Sequence, residues 1–232
     1  MTLTIYRDML QGTDEWFKAR RGMLTASTIG ALLTPTGKPA DNAKSRGLVA
    51  SLVAERMTDW EDPFYENGDM ARGNQVEPIA RSWYEQDRSV IVEQVGFMVR
   101  TLDDGTKLGY SPDGLVGDDG LIEVKGPRGK NHVQWFVDVF DGKEVADHMP
   151  QCQAGMYVSG RPWCDFISYL GGEPVLVTRV HADPDWFDAI EKAAKGFEVK
   201  AAEMADKYRK ATAGLPRTDK LPDPYDVELR LA

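Results

Sequence analysis

Hydrophobic and polar positions change their spacing twice along the chain. Over residues 10–88 apolar side chains recur every three or four positions, which predicts helices. Over residues 90–182 short β-branched runs are separated by Gly, Asp and Pro, which predicts strands with two helices among them. Helical spacing returns after residue 184, before a Pro-rich tail that we expect to be extended. We therefore expect one domain, residues 1–232, with a helical N-terminal part, a central sheet core, and a long helix and tail over 184–232.

This order of elements predicts an α/β (α+β) fold in which helices flank a central mixed β-sheet. Within the helical part, Thr13 or Asp14 is the predicted N-cap of one helix, because both side chains accept hydrogen bonds from free amides. Thr25 or Ser27 is the predicted N-cap of the next helix, in the segment "TASTIGALL". Pro78 is expected either in a first helical turn or at a kink.

Composition and charge exclude little. The hydrophobic content of 42% and the charged content of 28% are ordinary for a globular protein. A net charge of −9 argues against a simple nucleic-acid coat, but the acidic excess lies in residues 61–182 and not in residues 1–60. No apolar run has the length of a signal peptide or a membrane span, so we expect a cytoplasmic protein without membrane contact. Cys152 and Cys164 lack zinc-site spacing and are predicted to be small buried residues.

The segment "YSPDGLVGDDGLIEVKG" carries the candidate chemistry. Glu123 and Lys125 share one face of a predicted strand, because residues two apart point the same way, whereas Ile122 and Val124 face the other side. Asp113 precedes this strand across a predicted hairpin. Two carboxylates brought together repel unless a cation lies between them, and oxygen ligands of this kind suit Mg²⁺ or Mn²⁺. The alternative is a solvent-facing Glu–Lys pair beside an Asp-Gly turn.

Two further segments supply polar side chains that have both a functional and a structural interpretation. Glu77 is a third carboxylate able to reach a metal, but it also suits the start of a helix, where negative charge is favoured. Gln151 and Gln153 lie in an otherwise apolar predicted helix. Such glutamines are either ligands at a site or core amides whose hydrogen bonds are satisfied.

A candidate anion site lies near the N-terminus. Arg20 and Arg21 precede Thr25 and Ser27 at the predicted helix start. Guanidinium groups, hydroxyls and free backbone amides together suit a phosphate. The alternative is a basic helix end followed by an ordinary cap.

Four segments, in this order and at these separations, resemble the phage lambda exonuclease family of viral recombination nucleases, within the PD-(D/E)xK superfamily. They are "WFKARRGMLTAS", "RGNQVEPIARSWYE", "YSPDGLVGDDGLIEVKGP" and "HMPQCQAGMYVSG". The resemblance spans about residues 10–160 and implies a restriction-endonuclease-like core.

The resemblance also implies roles for individual residues. The metal ligands would be Asp113, Glu123 and the carbonyl of Val124, with Glu77 assisting at a second metal. Lys125 would be the catalytic lysine, and Gln151 would lie beside it. The residues implied for DNA are Arg20 and Ser27, at the 5′-phosphate or the phosphate next to the scissile bond, and Met70 as an apolar wedge. Thr25 belongs to the candidate anion site described above. Arg46 and Lys38 lie in a region that either follows the DNA backbone or carries scattered solvated cations. His148 departs from the family pattern, which has an aromatic hydroxyl there.

The activity implied is a Mg²⁺-dependent 5′→3′ exonuclease that acts on double-stranded DNA ends with a 5′-phosphate and leaves 3′ overhangs for recombination. Family members form homotrimeric rings around DNA and pass the strand to a phage-type single-strand annealing protein. A ring needs a basic inner wall only, which is compatible with an acidic protein. The alternatives are a PD-(D/E)xK endonuclease of repair or restriction, and an inert DNA- or protein-binding module on the same scaffold.

Overall fold

The computed structural model describes residues 1–58 and 68–219 of the chain. Eight strands are named here in chain order: β1 (Thr2–Tyr6), β2 (Val92–Glu93), β3 (Phe97–Thr101), β4 (Lys107–Tyr110), β5 (Gly114–Val116), β6 (Gly120–Lys125), β7 (Trp163–Ser168) and β8 (Leu176–His181). Six α-helices are named likewise: α1 (Asp14–Arg20), α2 (Ala43–Thr58), α3 (Gly68–Arg88), α4 (Gly129–Phe140), α5 (Met149–Ser159) and α6 (Pro184–Ala211). Short 3₁₀ turns span Ile29–Ala31 and Ala146–His148.

The strands form two sheets. A five-stranded sheet has the order β2-β5-β6-β7-β8, and it is mixed because β6 and β7 are parallel whereas the other neighbours are antiparallel. A three-stranded antiparallel sheet has the order β1-β3-β4. The predicted fold class, a central mixed sheet flanked by helices, is confirmed. The smaller sheet and its strand β1 were not predicted.

Helices cover both faces of the five-stranded sheet. Ala80 and Tyr84 of α3 pack with Ile122 and Val124 of β6 in one buried cluster. On the opposite face, Leu121 of β6 belongs to the larger core, which also includes α5 and α6. The predicted alternation along β6 is therefore confirmed, and it directs Glu123 and Lys125 toward α5.

Several local predictions can be compared with the structure. Thr13 is the N-cap of α1, since its side chain accepts a hydrogen bond from the amide of Trp16. Pro78 lies inside α3 and not in its first turn. The tail beyond residue 219 lies outside the described residues. Cys152 and Cys164 are buried free thiols, as predicted.

The helix predicted to begin at Thr25 or Ser27 is wrong. Thr25 forms a β-bridge with Gly109, and the only helical element there is the short 3₁₀ turn that follows. The amide of Ala26 donates to the carbonyl of Gly109, and the amide of Thr28 donates to the carbonyl of Thr25. Pairing with β4 therefore takes backbone groups that the predicted helix would have left free for an anion.

Within the described ranges, no helix is both long enough and apolar enough to cross a membrane.

Candidate active site

The β5–β6 hairpin positions Asp113. This residue immediately precedes β5, and its Oδ2 accepts a hydrogen bond from the amide of Val124 at 2.6 Å. The next residue, Gly114, leaves room for Val92 of the neighbouring strand β2, since a Cβ there would lie 2.1 Å from a methyl carbon of Val92. The carboxyl group of Asp113 is therefore tied directly to the strand that carries the other candidate residues.

Glu123 and Lys125 face the protein interior. The Glu123 residue is 1% exposed, and the Lys125 ammonium donates to its Oε1 at 2.5 Å. The same ammonium donates to Oε1 of Gln151 on α5 at 3.3 Å. The alternative of a solvent-facing Glu–Lys pair is therefore wrong, because α5 covers this face of the sheet.

The two glutamines of α5 differ in environment. Gln153 is a core amide with satisfied hydrogen bonds: its Nε2 donates to the carbonyl of His181, and its Oε1 accepts from the amide of Asp183. Gln151 instead reaches Lys125 and lines a cavity. Of the two, Gln151 is thus the one that contacts the candidate site.

Burial perturbs the titration of the acidic groups. Desolvation, with the nearby charges of Asp113 and Glu77, raises the pKa of Glu123 to about 7 despite the opposing effect of Lys125. Desolvation and the charge of Asp113 raise the pKa of Glu77 to about 7 as well. Desolvation also raises the pKa of Asp113. The three carboxyl groups therefore share one electrostatic environment, in which negative charge accumulates unfavourably.

Lys125 keeps its charge in this environment. Burial by itself lowers the pKa of Lys125, but the adjacent carboxylates of Glu123 and Asp113 outweigh it and raise the pKa above its ordinary value. The neighbouring carboxylates thus favour the charged form of Lys125.

Glu77 lies on α3 and interacts electrostatically with Asp113 and Lys125. Arg81, one turn further along the helix, donates from Nη2 to its Oε1 and from Nε to the carbonyl oxygen of Asp113 at 3.0 Å. Arg81 was not among the residues proposed from the sequence. Its spacing of four from Glu77 is visible in the sequence, but its contact with Asp113 is not.

The residues present suit a divalent cation. Oε2 of Glu123 is buried and has no hydrogen-bond partner among the residues that the structure describes, so an acceptor is available beside Asp113. In the described part of the chain, no three His, Cys, Asp or Glu side chains form a complete metal site by themselves. Two carboxylates are nevertheless sufficient for Mg²⁺, which usually keeps several water ligands and takes others from substrate phosphates.

Arg20 approaches the site from the side of α1. Its Nη1 donates to Oγ of Ser111 at 3.2 Å, and its guanidinium stacks on the Trp16 ring at 4.0 Å. The Trp16 indole donates to the same hydroxyl at 2.9 Å. Ser111 lies two residues before Asp113, so Arg20 contacts the segment that leads into the site. Sequence reasoning did not single out Ser111 or Trp16, since the first resembles a turn residue and the second a core aromatic.

Ser27 lies on another side, at a cavity of about 680 Å³ that adjoins the site through Gln151. The polar side chains in its lining are those of Ser27, Thr28, Lys44, Asp147, His148 and Gln151. His148 stacks on Phe166, and burial, followed by the charge of Lys125, lowers the pKa of His148 to about 3. His148 is therefore a neutral cavity-lining ring.

The remaining predicted residues lie elsewhere. The buried hydroxyl of Thr25 lies 3.1 Å from that of Ser27. Arg46 is exposed on α2, where it pairs with Asp41, and it lines a separate cavity beside α6. Met70 belongs to α3, but its side chain lies outside the described part of the structure.

The fold and the site together define a class. A mixed sheet with helices on both faces, in which one strand carries Glu123-x-Lys125 and the preceding strand follows Asp113, is the PD-(D/E)xK nuclease fold. Residues 15–162 match the model of the YqaJ-like viral recombinase domain, and the chain belongs to this family. The resemblance to viral recombination exonucleases is thereby confirmed.

Solved structures agree with this assignment. An alkaline exonuclease (LHK-Exo) from Laribacter hongkongensis is 32% identical over 88% of this chain and 100% of that chain, with a TM-score of 0.75. Its complex with dAMP gives a TM-score of 0.76 at the same identity. A phage-related exonuclease from Haemophilus somnus, 12% identical over 80% of this chain and 96% of that chain, has a TM-score of 0.63, which is a likeness of fold alone. No curated protein matches the chain.

Proposed function

We propose that this protein is a Mg²⁺-dependent exonuclease that digests double-stranded DNA in the 5′→3′ direction and leaves 3′ overhangs for recombination by strand annealing. The observation that carries the proposal is the convergence of Asp113, Glu123 and Lys125 beside a cavity that Gln151 also lines. The relatives with solved structures are exonucleases by name, and one of them binds dAMP, a deoxynucleoside monophosphate.

Each residue of the site has a chemical role in this proposal. Asp113 and Glu123 would hold the divalent cation, together with the carbonyl oxygen of Val124, and Glu77 would assist at a second metal. The cation supplies Lewis-acid chemistry at the scissile phosphate when bound. Lys125, fixed between Glu123 and Gln151, contributes positive charge where charge develops on the phosphate oxygens. We assign its ammonium electrostatic stabilisation and orientation of the attacking water.

The DNA strand would contact both sides of the site. Arg20 offers a guanidinium to a phosphate beside Ser111, and Ser27 offers a hydroxyl at the cavity. The cavity, at about 680 Å³, is large enough for a nucleotide. In it, the neutral ring of His148 provides hydrogen bonding, and Lys44 provides the cation at the rim.

The assembly belongs to the proposal as well. We place three copies in a ring around the duplex, which hands the 3′-ended strand to a phage-type annealing protein. The net charge of −9 is compatible with a ring, because only the inner wall of a ring has to be basic. Sedimentation at working concentration tests it, and a monomer under all conditions would contradict it without affecting the chemistry.

The central experiment uses linear duplex with a 5′-phosphate, labelled at one end or the other, with Mg²⁺ or Mn²⁺. We expect release of nucleotides from the 5′ end by the unaltered protein, and a loss of at least about a hundredfold for Lys125→Ala and Asp113→Asn, as is typical when charge stabilisation at the reacting atoms is lost. Digestion at the unaltered rate by either variant would refute the mechanism.

Two controls separate the alternatives. Circular plasmid should remain intact, because an exonuclease needs an end, whereas cleavage of the circle would favour a PD-(D/E)xK endonuclease. Titration with Mn²⁺ in the absence of DNA should show binding that Asp113→Asn weakens. A protein that binds DNA, does not bind the ion and releases no nuclease product would be the inert module.

A further inference from the structure

Arg81 is a nearly buried arginine that contacts both Glu77 and the backbone of Asp113. The residue is only 9% exposed, although guanidinium groups are rarely buried without charged partners. It lies four residues after Glu77 on α3, a spacing that brings the two side chains onto the same helix face. Its two hydrogen bonds, to the Glu77 carboxylate and to the carbonyl oxygen of Asp113, join α3 to the start of β5.

The geometry of these bonds distinguishes Arg81 from a simple counter-charge. A guanidinium is a rigid planar fork, so two acceptors bound by different nitrogens of one fork are held at a fixed separation. One acceptor lies on the same helix as Arg81, whereas the other lies 32 residues further along the chain. Glu77 is about one-third exposed and is repelled by Asp113, so without this bond its side chain is free to turn toward solvent.

We propose that Arg81 is a positioning residue that holds Glu77 and the Asp113 segment at the separation needed for the divalent cation and the DNA phosphate. The inference rests on the proposed function and deepens it. Arg81 itself contacts neither the reacting atoms nor the ion in this proposal; it acts through the two acidic residues.

The substitution Arg81→Lys separates position from charge. Lysine keeps the positive charge but lacks the fork, so it cannot hold both acceptors in the same geometry. We expect kcat on linear duplex and the affinity for Mn²⁺, measured calorimetrically without DNA, each to fall roughly 10- to 100-fold, the usual cost of losing a residue that orients metal ligands. The KM for DNA ends should change by less than about threefold, because the phosphate-binding groups are untouched.

A double-mutant cycle distinguishes a positioning role from a merely structural one, because only the first predicts that the losses of kcat are not additive. In the background Glu77→Gln, the further change Arg81→Lys should add little to the loss of kcat, since its main acceptor is already altered. Full additivity of the two losses would overturn the proposal.

Arg161 provides a matched control at the opposite end of the same hairpin. Its Nη1 donates to the carbonyl oxygens of Val116, Gly117 and Gly120, so Arg161→Met removes a guanidinium that also holds this hairpin. We expect a lower unfolding midpoint but unchanged kcat and Mn²⁺ affinity. An equal loss of Mn²⁺ affinity in both variants would show that hairpin stability is responsible, and would overturn the proposal.

The remaining outcomes are also decisive. Unaltered Mn²⁺ affinity and kcat in Arg81→Lys would refute the positioning role, provided that circular dichroism shows a folded protein. If that variant does not fold, Arg81→Gln, which retains a planar donor, takes its place in the same measurements. Absence of nuclease activity in the unaltered protein would refute the proposed function, whereas the Mn²⁺ titrations would still decide the role of Arg81.

Discussion

Glu123→Gln should make the protein more stable at pH 8 in the absence of divalent ions, while abolishing the proposed activity. The pKa of Glu123 is about 7 in the folded protein, against an ordinary value of 4.5. Because this acid binds its proton more tightly when folded, the folded state is favoured at low pH. Stability is lost as the pH rises from about 4.5 to about 7. Above that window the full cost of an ionised buried group is present.

The magnitude follows from the same two values. At about 1.4 kcal/mol for each pKa unit, the difference corresponds to about 3 kcal/mol. The raised pKa already includes the attraction of Lys125, so the figure is not reduced again for the loss of that ion pair. Glutamine resembles the protonated acid in shape and charge. We therefore expect the variant to be about 2–3 kcal/mol more stable at pH 8, and about equal to the unaltered protein at pH 4.5.

The assay is urea unfolding in EDTA at pH 4.5, 6 and 8, compared between the variant and the unaltered protein. Taking the difference cancels titrating groups remote from Glu123, such as Glu191, whose pKa is lowered by Lys195 and which therefore affects stability in the opposite direction. Exposed Glu173 supplies the control Glu173→Gln, which should change stability by less than about 0.5 kcal/mol. A Glu123→Gln protein that is less stable at pH 8, with no dependence of the difference on pH, would refute the reasoning.

Two other predictions concern the walls of the site. Ser111→Ala removes the hydroxyl that accepts a hydrogen bond from Arg20. Steady-state kinetics should show a KM about tenfold higher for 5′-phosphorylated duplex but little change for 5′-hydroxyl duplex. Equal changes in KM for the two substrates would contradict a phosphate role for Arg20. Gly155→Ala should cost about 1–3 kcal/mol, because its Cβ would lie 2.7 Å from the Tyr110 ring. Gly196→Ala on α6, with no neighbour within 4 Å, should instead add about 0.5–1 kcal/mol in the same urea titration, and similar effects at both positions would contradict this packing.

What could be predicted from the sequence was local. The period of two along β6 is enough to place Glu123 and Lys125 on one face, because neighbouring side chains alternate whatever the strand contacts. Whether that face meets water depends on α5, which begins more than twenty residues later, and so the burial of Glu123 was left open. The mixed sheet flanked by helices follows from the order of helices and strands. That order can be predicted from the spacing of apolar residues alone.

What could not be predicted depends on distant partners. The segment after Thr25 has the residues of a helix start, but pairing with Gly109 takes its backbone groups. Strand β1 is a strand because it pairs with β3, where Thr2 lies opposite Thr101. The contact of Arg81 with the Asp113 carbonyl exists only in the folded chain. In each case tertiary contacts outweigh the local preference of the sequence.

The same repulsion that destabilises the ionised site should couple divalent-ion binding to pH. A divalent ion binds carboxylates only when they are deprotonated. Glu77 and Glu123 each have a pKa of about 7, so below that value protons compete with the ion for these two side chains. Mg²⁺ or Mn²⁺ should therefore raise the unfolding temperature strongly at pH 8 and very little at pH 5, with protons released on binding near pH 7. Calorimetry in buffers of different ionisation enthalpy measures that release, and Glu123→Gln should reduce it. If the ion instead stabilised the protein equally at both pH values, it would bind groups with ordinary carboxylate pKa values, and the buried acids would not be its ligands.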